Sequence, residues 1–148
     1  MLSNLASGTD RHDLPRWQEE GGSTRSAWVL VVDDDDDCRE AIVETLEEAG
    51  YRALGVASGQ RALEAIHDEP FLVLADLRMP GMNGSELLTA MRAELGSRMP
   101  PVVFLTGADP SMIENLAAPV LSKPVDLDQL LSVVGHHCPP ALAIRTLG

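Results

Sequence analysis

Five consecutive aspartates, Asp33 through Asp37, follow directly on the apolar run Trp28-Val29-Leu30-Val31-Val32. That run has the length, apolarity and β-branching of a buried parallel strand. Ending it in carboxylates sets like charges side by side at the lip of a core, where repulsion and burial both disfavour ionisation. A hard divalent cation relieves that cost, and oxygen-only ligands suit Mg²⁺, Mn²⁺ or Ca²⁺ rather than zinc. The competing structural reading is a solvated acidic turn with Asp36 or Asp37 capping the next helix, where the macrodipole favours negative charge. One run serves both ends: Asp33 and Asp34, nearest the strand, form a site, and the later aspartates supply cap and first turn. Three more reactive residues stand where apolar runs stop, namely Asp76, Thr106 and Lys123. Carboxylates hold a divalent cation, whereas a hydroxyl and an ammonium suit the oxygens of a phosphoryl group. An aspartate can also attack phosphorus itself, giving an acyl phosphate.

These residues meet only if the elements between them place their junctions together. Glycine-stopped helical spacing predicts a helix over 40–49, with Ala41, Ile42, Thr45, Leu46 and Ala49 on one stripe ahead of Gly50. A more mixed strand follows over 51–57, nearer a sheet edge, and Ser58 caps a helix carrying Ala62, Leu63 and Ile66. An apolar strand over 71–75 ends at Asp76, and a Pro-Gly-Asn-Gly turn over 78–84 leads to a helix with Leu87, Leu88, Met91 and Leu95 inward. A fourth strand over 101–105 ends at Thr106, a short helix fits 110–116, and a fifth strand over 120–122 ends at Lys123-Pro124. Leu127, Leu130, Leu131 and Val134 mark a last amphipathic helix. Strict alternation of apolar strands with amphipathic helices predicts a doubly wound α/β fold, a parallel sheet with helices on both faces. Parallel strands share one C-terminal edge, and ligands of open α/β sheets bind there. Asp33, Asp34, Asp76, Thr106 and Lys123 then converge on one crevice. Lys123 carries separate weight, because it is the only lysine in a chain with ten arginines. A compact charge on a flexible stem follows a phosphoryl oxygen in a way a guanidinium fork does not.

Composition narrows the partners. At 148 residues and net charge −12, the chain has the size of one domain with tails and no basic stripe for nucleic acid. Residues 1–26 lack periodicity and read as a disordered extension before a domain over 27–135, with a tail over 136–148. No stretch approaches a membrane span, and the start is too polar for a signal peptide. Two distant cysteines, Cys38 and Cys138, form no disulfide framework and fit a reducing, cytoplasmic setting.

The residues Val29-Leu30-Val31-Val32-Asp33-Asp34, the stretch from Leu74-Ala75-Asp76 to Asn83-Gly84, Leu105-Thr106-Gly107 and Ser122-Lys123-Pro124 resemble the receiver domain of two-component response regulators. The resemblance covers about 27–135 and places four motifs in order at strand ends. It implies five parallel strands in the order 2-1-3-4-5, a flavodoxin-like sheet. It implies that Asp76 accepts a phosphoryl group from the phosphohistidine of a sensor histidine kinase or a phosphotransfer protein. By the same likeness, Mg²⁺ (or Mn²⁺) is held by Asp34 directly, by Asp33 mainly through water, by Asp76 and by the backbone carbonyl of Arg78. Thr106 and Lys123 match the residues that close on the phosphoryl group, and an unidentified downstream protein reads the result. Such a protein catalyses its own phosphorylation and slow dephosphorylation rather than turning over a substrate.

Two features depart from the family pattern. Val120 stands where an aromatic often precedes the lysine by three residues, leaving Phe104 as an aromatic that could take over the role. The stretch from Thr106 to Lys123 is short, closer to receivers attached to hybrid histidine kinases, and the 13 residues after Gly135 leave no room for an output domain. Rival readings remain. A calcium loop would take Asp33, Asp35, Asp37 and Glu44, but has Cys38 where glycine is required. A haloacid-dehalogenase-like phosphatase would start from Asp33-Asp34-Asp35, but has Asp37 at its fifth place and leaves Asp76 unused. A receiver-like scaffold that binds partners without phosphorylation normally loses pocket residues, and here all five are present. His136, His137 and Cys138 offer metal-ligand chemistry in what reads as an unstructured tail.

Overall fold

A computed structural model describes residues 28–107 and 118–138. The expected extension over 1–26 and the short helix over 110–116 lie outside the described residues. Strands β1 (Trp28–Val32), β2 (Arg52–Val56), β3 (Leu72–Asp76), β4 (Val102–Thr106) and β5 (Val120–Ser122) form one sheet in the order β2-β1-β3-β4-β5. Every pairing is parallel, with Val32 opposite Ala75, Asp76 opposite Leu105 and Thr106 opposite Ser122. The sheet therefore has the expected order, and all five C-terminal ends face one way.

Period-two alternation divides the core cleanly. Trp28, Leu30 and Val32, with Val73, Ala75 and Phe104, pack on one face against α2 (Gly59–Ala65) and α3 (Gly84–Leu95). Val29 and Val31, with Leu72, Leu74, Val103 and Leu105, pack on the other against α1 (Asp36–Glu48) and α4 (Leu127–His137). All residues of β1, β3 and β4 are buried, the continuous apolar pattern of strands covered on both sides. At the edge, β2 is only partly buried, in keeping with its mixed sequence. Trp28, at the start of β1, is fully buried and satisfies its indole by donating Nε1–H to the carbonyl of Asp68 at 2.9 Å.

Helix starts follow side-chain caps. Asp35 accepts from the N–H groups of Asp37 and Cys38, so the cap falls one residue before Asp36 and two before Asp37, the aspartates expected for it. Helix α1 consequently begins at Asp36 rather than at position 40, with Asp36 and Asp37 in its first turn, where the dipole stabilises them. The inward stripe is Cys38, Ile42, Val43 and Leu46, while Ala41 is exposed, a correction to the expected stripe. One residue of rotation is about 100°, enough to turn Ala41 off the buried line through Ile42 and Leu46. Ser58 caps α2 as expected, and Asn83 with Glu86 closes a reciprocal capping box on α3. Helix α4 runs on to His137, so His136 and His137 stand in its last turn rather than in a tail.

Candidate functional site

Four strand ends deliver the site, those of β1, β3, β4 and β5. Parallel register puts Val32 beside Ala75, so the next pair along is Asp33 and Asp76, and alternation turns both toward the α1 and α4 face. The ladder extends past the strand ends, from the N–H of Asp33 to the carbonyl of Val56 (3.1 Å), Leu77 to Leu105 (2.9 Å) and Lys123 to Thr106 (2.7 Å). The peptide bond between Lys123 and Pro124 is cis. Asp33, Asp76 and Thr106 are the three buried polar residues among those described.

At the centre, the ammonium Nζ of Lys123 donates to Asp33 Oδ2 at 3.0 Å and to Asp76 Oδ2 at 3.1 Å. The remaining carboxylate oxygens take main-chain donors: Asp33 Oδ1 accepts from the N–H of Asp35 (2.9 Å) and Asp76 Oδ1 from that of Arg78 (3.1 Å). Asp34 is exposed, yet one carboxylate oxygen from each of Asp33, Asp34 and Asp76 lies within 4.8 Å of the others. Three carboxylates this close offer a hard oxygen donor set of the kind that Mg²⁺ takes.

Burial raises the Asp33 carboxyl, but hydrogen bonds from Asp35, Lys123 and Cys38 outweigh it and leave the group below its ordinary value. Burial also raises Asp76, and the charge of Asp33 adds to it; the bonds from Arg78 and Lys123 do not reverse the rise. Burial works against the Lys123 ammonium, yet the two carboxylates hold it protonated well above its ordinary range. Burial, followed by the hydrogen bond to Asp33, pushes the Cys38 thiol up to about 11, so Cys38 is a neutral donor rather than a nucleophile.

The sequence-predicted residues Asp33, Asp34, Asp76 and Lys123 are thus brought together directly. Thr106 ends β4 at the same edge, buried, and in phase with the opposite face. Arg78 is exposed, with its N–H on Asp76. Three contributors were not anticipated. Cys38 reaches Asp33 from α1. Arg39 Nη1 donates to the carbonyl of Asp33 at 2.9 Å. Gly84 lets α3 approach so closely that a Cβ there would sit 2.8 Å from the carbonyl oxygen of Asp76 and 2.8 Å from Phe104 Cε1. Phe104 itself is fully buried against that approach. The calcium-loop reading fails, because the residues from Asp36 onward are helical and Asp35 is spent as the cap. No group of three metal-ligating side chains forms around His136, His137 and Cys138 among the described residues.

The model of the response regulator receiver domain family matches residues 29–135. The chain belongs to that family, the receiver domains of two-component systems. It is 38% identical over 120 residues to the response regulator protein FleR of Pseudomonas aeruginosa, covering 76% of this chain but 24% of that protein. It is 37% identical over 112 residues to the response regulator receiver protein CpdR of Brucella abortus, covering 72% of this chain and 92% of that one. The fold matches the chemotaxis response regulator CheY4 of Vibrio cholerae with a TM-score of 0.67 at 29% identity, over 75% of this chain and 98% of that one.

Proposed function

We propose that Asp76 is the phosphoacceptor, taking its phosphoryl group from a phosphohistidine of a sensor histidine kinase or phosphotransfer protein in a Mg²⁺-dependent reaction. The observation that carries the reading is the bridge from Lys123 to both Asp33 and Asp76, with Asp34 completing a set of three carboxylates. In the step, an Asp76 carboxylate oxygen forms a bond to phosphorus as the phosphorus–nitrogen bond breaks, and that electron pair leaves with the imidazole. No strong general base is required, since phosphohistidine is already a reactive donor. Asp33, Asp34, Asp76 and the Arg78 carbonyl would hold Mg²⁺, which would supply positive charge for the phosphoryl oxygens. Lys123 releases Asp76 Oδ2 and follows a phosphoryl oxygen, while the Thr106 hydroxyl closes on another.

The division of labour between Asp33 and Asp34 follows their environments. Asp33 has both carboxylate oxygens engaged by protein donors, which suits a role through water. Asp34 is exposed and suits direct ligation. Phosphorylation then changes what a downstream protein sees. The reading takes 27–135 as the receiver unit and a cytoplasmic setting, supported by Cys38 and Cys138 forming no disulfide. Incubation with acetyl phosphate and Mg²⁺ tests it by intact mass. One added phosphoryl group in the wild type, absent with EDTA and absent in Asp76→Asn, is the expected result; equal labelling of Asp76→Asn refutes the assignment.

A further inference from the structure

We propose that Arg39 is a positioning residue of the acidic site, fixing the main chain at Asp33 so that the carboxylates of Asp33 and Asp34 face a shared cation. The proposal rests on the Mg²⁺ site described above. Arg39 lies in the early turns of α1, and its side chain is only 16% exposed. Nη1 donates to the carbonyl of Asp33 at 2.9 Å, and Nη2 to the carboxylate of Asp36 at 2.6 Å. The guanidinium therefore ties position 33 to position 36, closing a loop that contains Asp34. The carbonyl it takes lies just past the last residue of β1.

A glycine makes room for the stem. On β2, a Cβ at Gly55 would lie 2.9 Å from Arg39 Cγ and 3.1 Å from Cδ. The gap left by the missing side chain is the channel through which Arg39 crosses from α1 to the end of β1. Asp33 is then held at four atoms: its N–H by Val56, Oδ1 by Asp35, Oδ2 by Lys123 and its carbonyl by Arg39. Asp34 is exposed, so the backbone on its N-terminal side fixes where its carboxylate starts from. Only a fork reaches two acceptors in different directions, which a lysine ammonium on a single stem does not reproduce.

Electrostatics alone makes the opposite prediction, which gives the test its force. Arg39 is a cation beside a cation site, so removing its charge should tighten Mg²⁺ if position is irrelevant. If Arg39 positions the loop, removing it weakens Mg²⁺, and outer-shell contacts to metal ligands typically contribute about 10–100-fold in affinity. Calorimetric titration of the full chain with Mg²⁺ decides. Arg39→Met is expected to weaken binding about tenfold, and Arg39→Lys, which keeps charge but not the fork, to fall between. Saturating Mg²⁺ should restore the phosphorylation rate of both variants, and amide exchange over 34–37 should speed up in metal-free Arg39→Met. Unchanged or tighter Mg²⁺ binding by Arg39→Met, with wild-type binding intact, overturns the role of Arg39 and leaves the site reading standing. No Mg²⁺ binding by the wild type overturns both. Where Arg39→Met is partly unfolded, Arg39→Lys carries the comparison, and wild-type affinity in that variant sinks the proposal.

Discussion

Lys123→Met removes the one charge that holds two buried carboxylates together. The ammonium makes bonds of 3.0 and 3.1 Å to Asp33 and Asp76, and its side chain is 21% exposed. Hydrogen bonds to charged groups are worth about 1.5–3 kcal/mol each, and deleting one member of a buried pair costs about 3–5 kcal/mol. Asp76 already holds its proton more readily than usual, so it can protonate to relieve part of the loss. We therefore expect the low end, about 3 kcal/mol, or roughly 10–15 °C in Tm for a domain of this size. The sign with pH follows from the shifts. The raised value of Lys123 keeps its contribution intact below the lysine range and removes it only in strong alkali. The cost of the substitution is thus largest near neutrality and shrinks as falling pH protonates Asp76, which begins above that group's ordinary value. Mg²⁺ should then act more strongly on the variant, having lost a competing cation. Each tenfold gain in affinity adds about 1.4 kcal/mol at saturating metal. Thermal melts of both proteins in EDTA and in millimolar Mg²⁺ provide the assay. A Mg²⁺ shift no larger in Lys123→Met than in the wild type would refute the idea that ammonium and metal share one pocket.

Three further outcomes are expected. Asp34→Ala should blunt the rise in Tm that Mg²⁺ gives the wild type, and it should leave or slightly raise metal-free stability, since it removes a like charge; an undiminished Mg²⁺ shift contradicts direct ligation. Gly84→Ala should destabilise by about 2 kcal/mol despite better helix propensity, because its Cβ meets the Asp76 carbonyl at 2.8 Å. It should also slow phosphorylation, and a wild-type melting curve would show that α3 yields freely. Beryllium fluoride, a phosphoryl mimic, should change amide exchange in the loops after Asp76 and Thr106 with little change at β5, because Val120 is stiff and carries no ring that could swing inward. Protection concentrated over 120–122 and α4 would restore a switch through the fifth strand.

The carboxylates and the lysine were legible in the sequence for one reason. Parallel strands share an edge, so any residue that ends an apolar run is placed without knowing the packing in detail. Asp33, Asp34, Asp76 and Lys123 meet by that rule alone. The order of strands came from family resemblance, not from periodicity. What the sequence hid depends on angles and close approaches. Apolar spacing over 40–49 marks Ile42 and Leu46, the buried residues of α1, but shows neither that the cap is Asp35, so that the helix starts at Asp36, nor that Ala41 is exposed. With the helix starting at Asp36, Arg39 turns back toward the end of β1, a contact that apolar spacing does not reveal. Gly84 looked like turn chemistry, whereas its lack of a side chain matters for the contact of α3 with the end of β3.

The most direct measurement locates the phosphoryl group. After reaction with acetyl phosphate and Mg²⁺, borohydride reduction converts an aspartyl phosphate to homoserine, which peptide mass mapping places in the chain. Homoserine is expected at position 76 alone, dependent on Mg²⁺ and lost in Asp76→Asn. Homoserine at Asp33 or Asp34, or phosphate retained on another residue with position 76 unmodified, would contradict it.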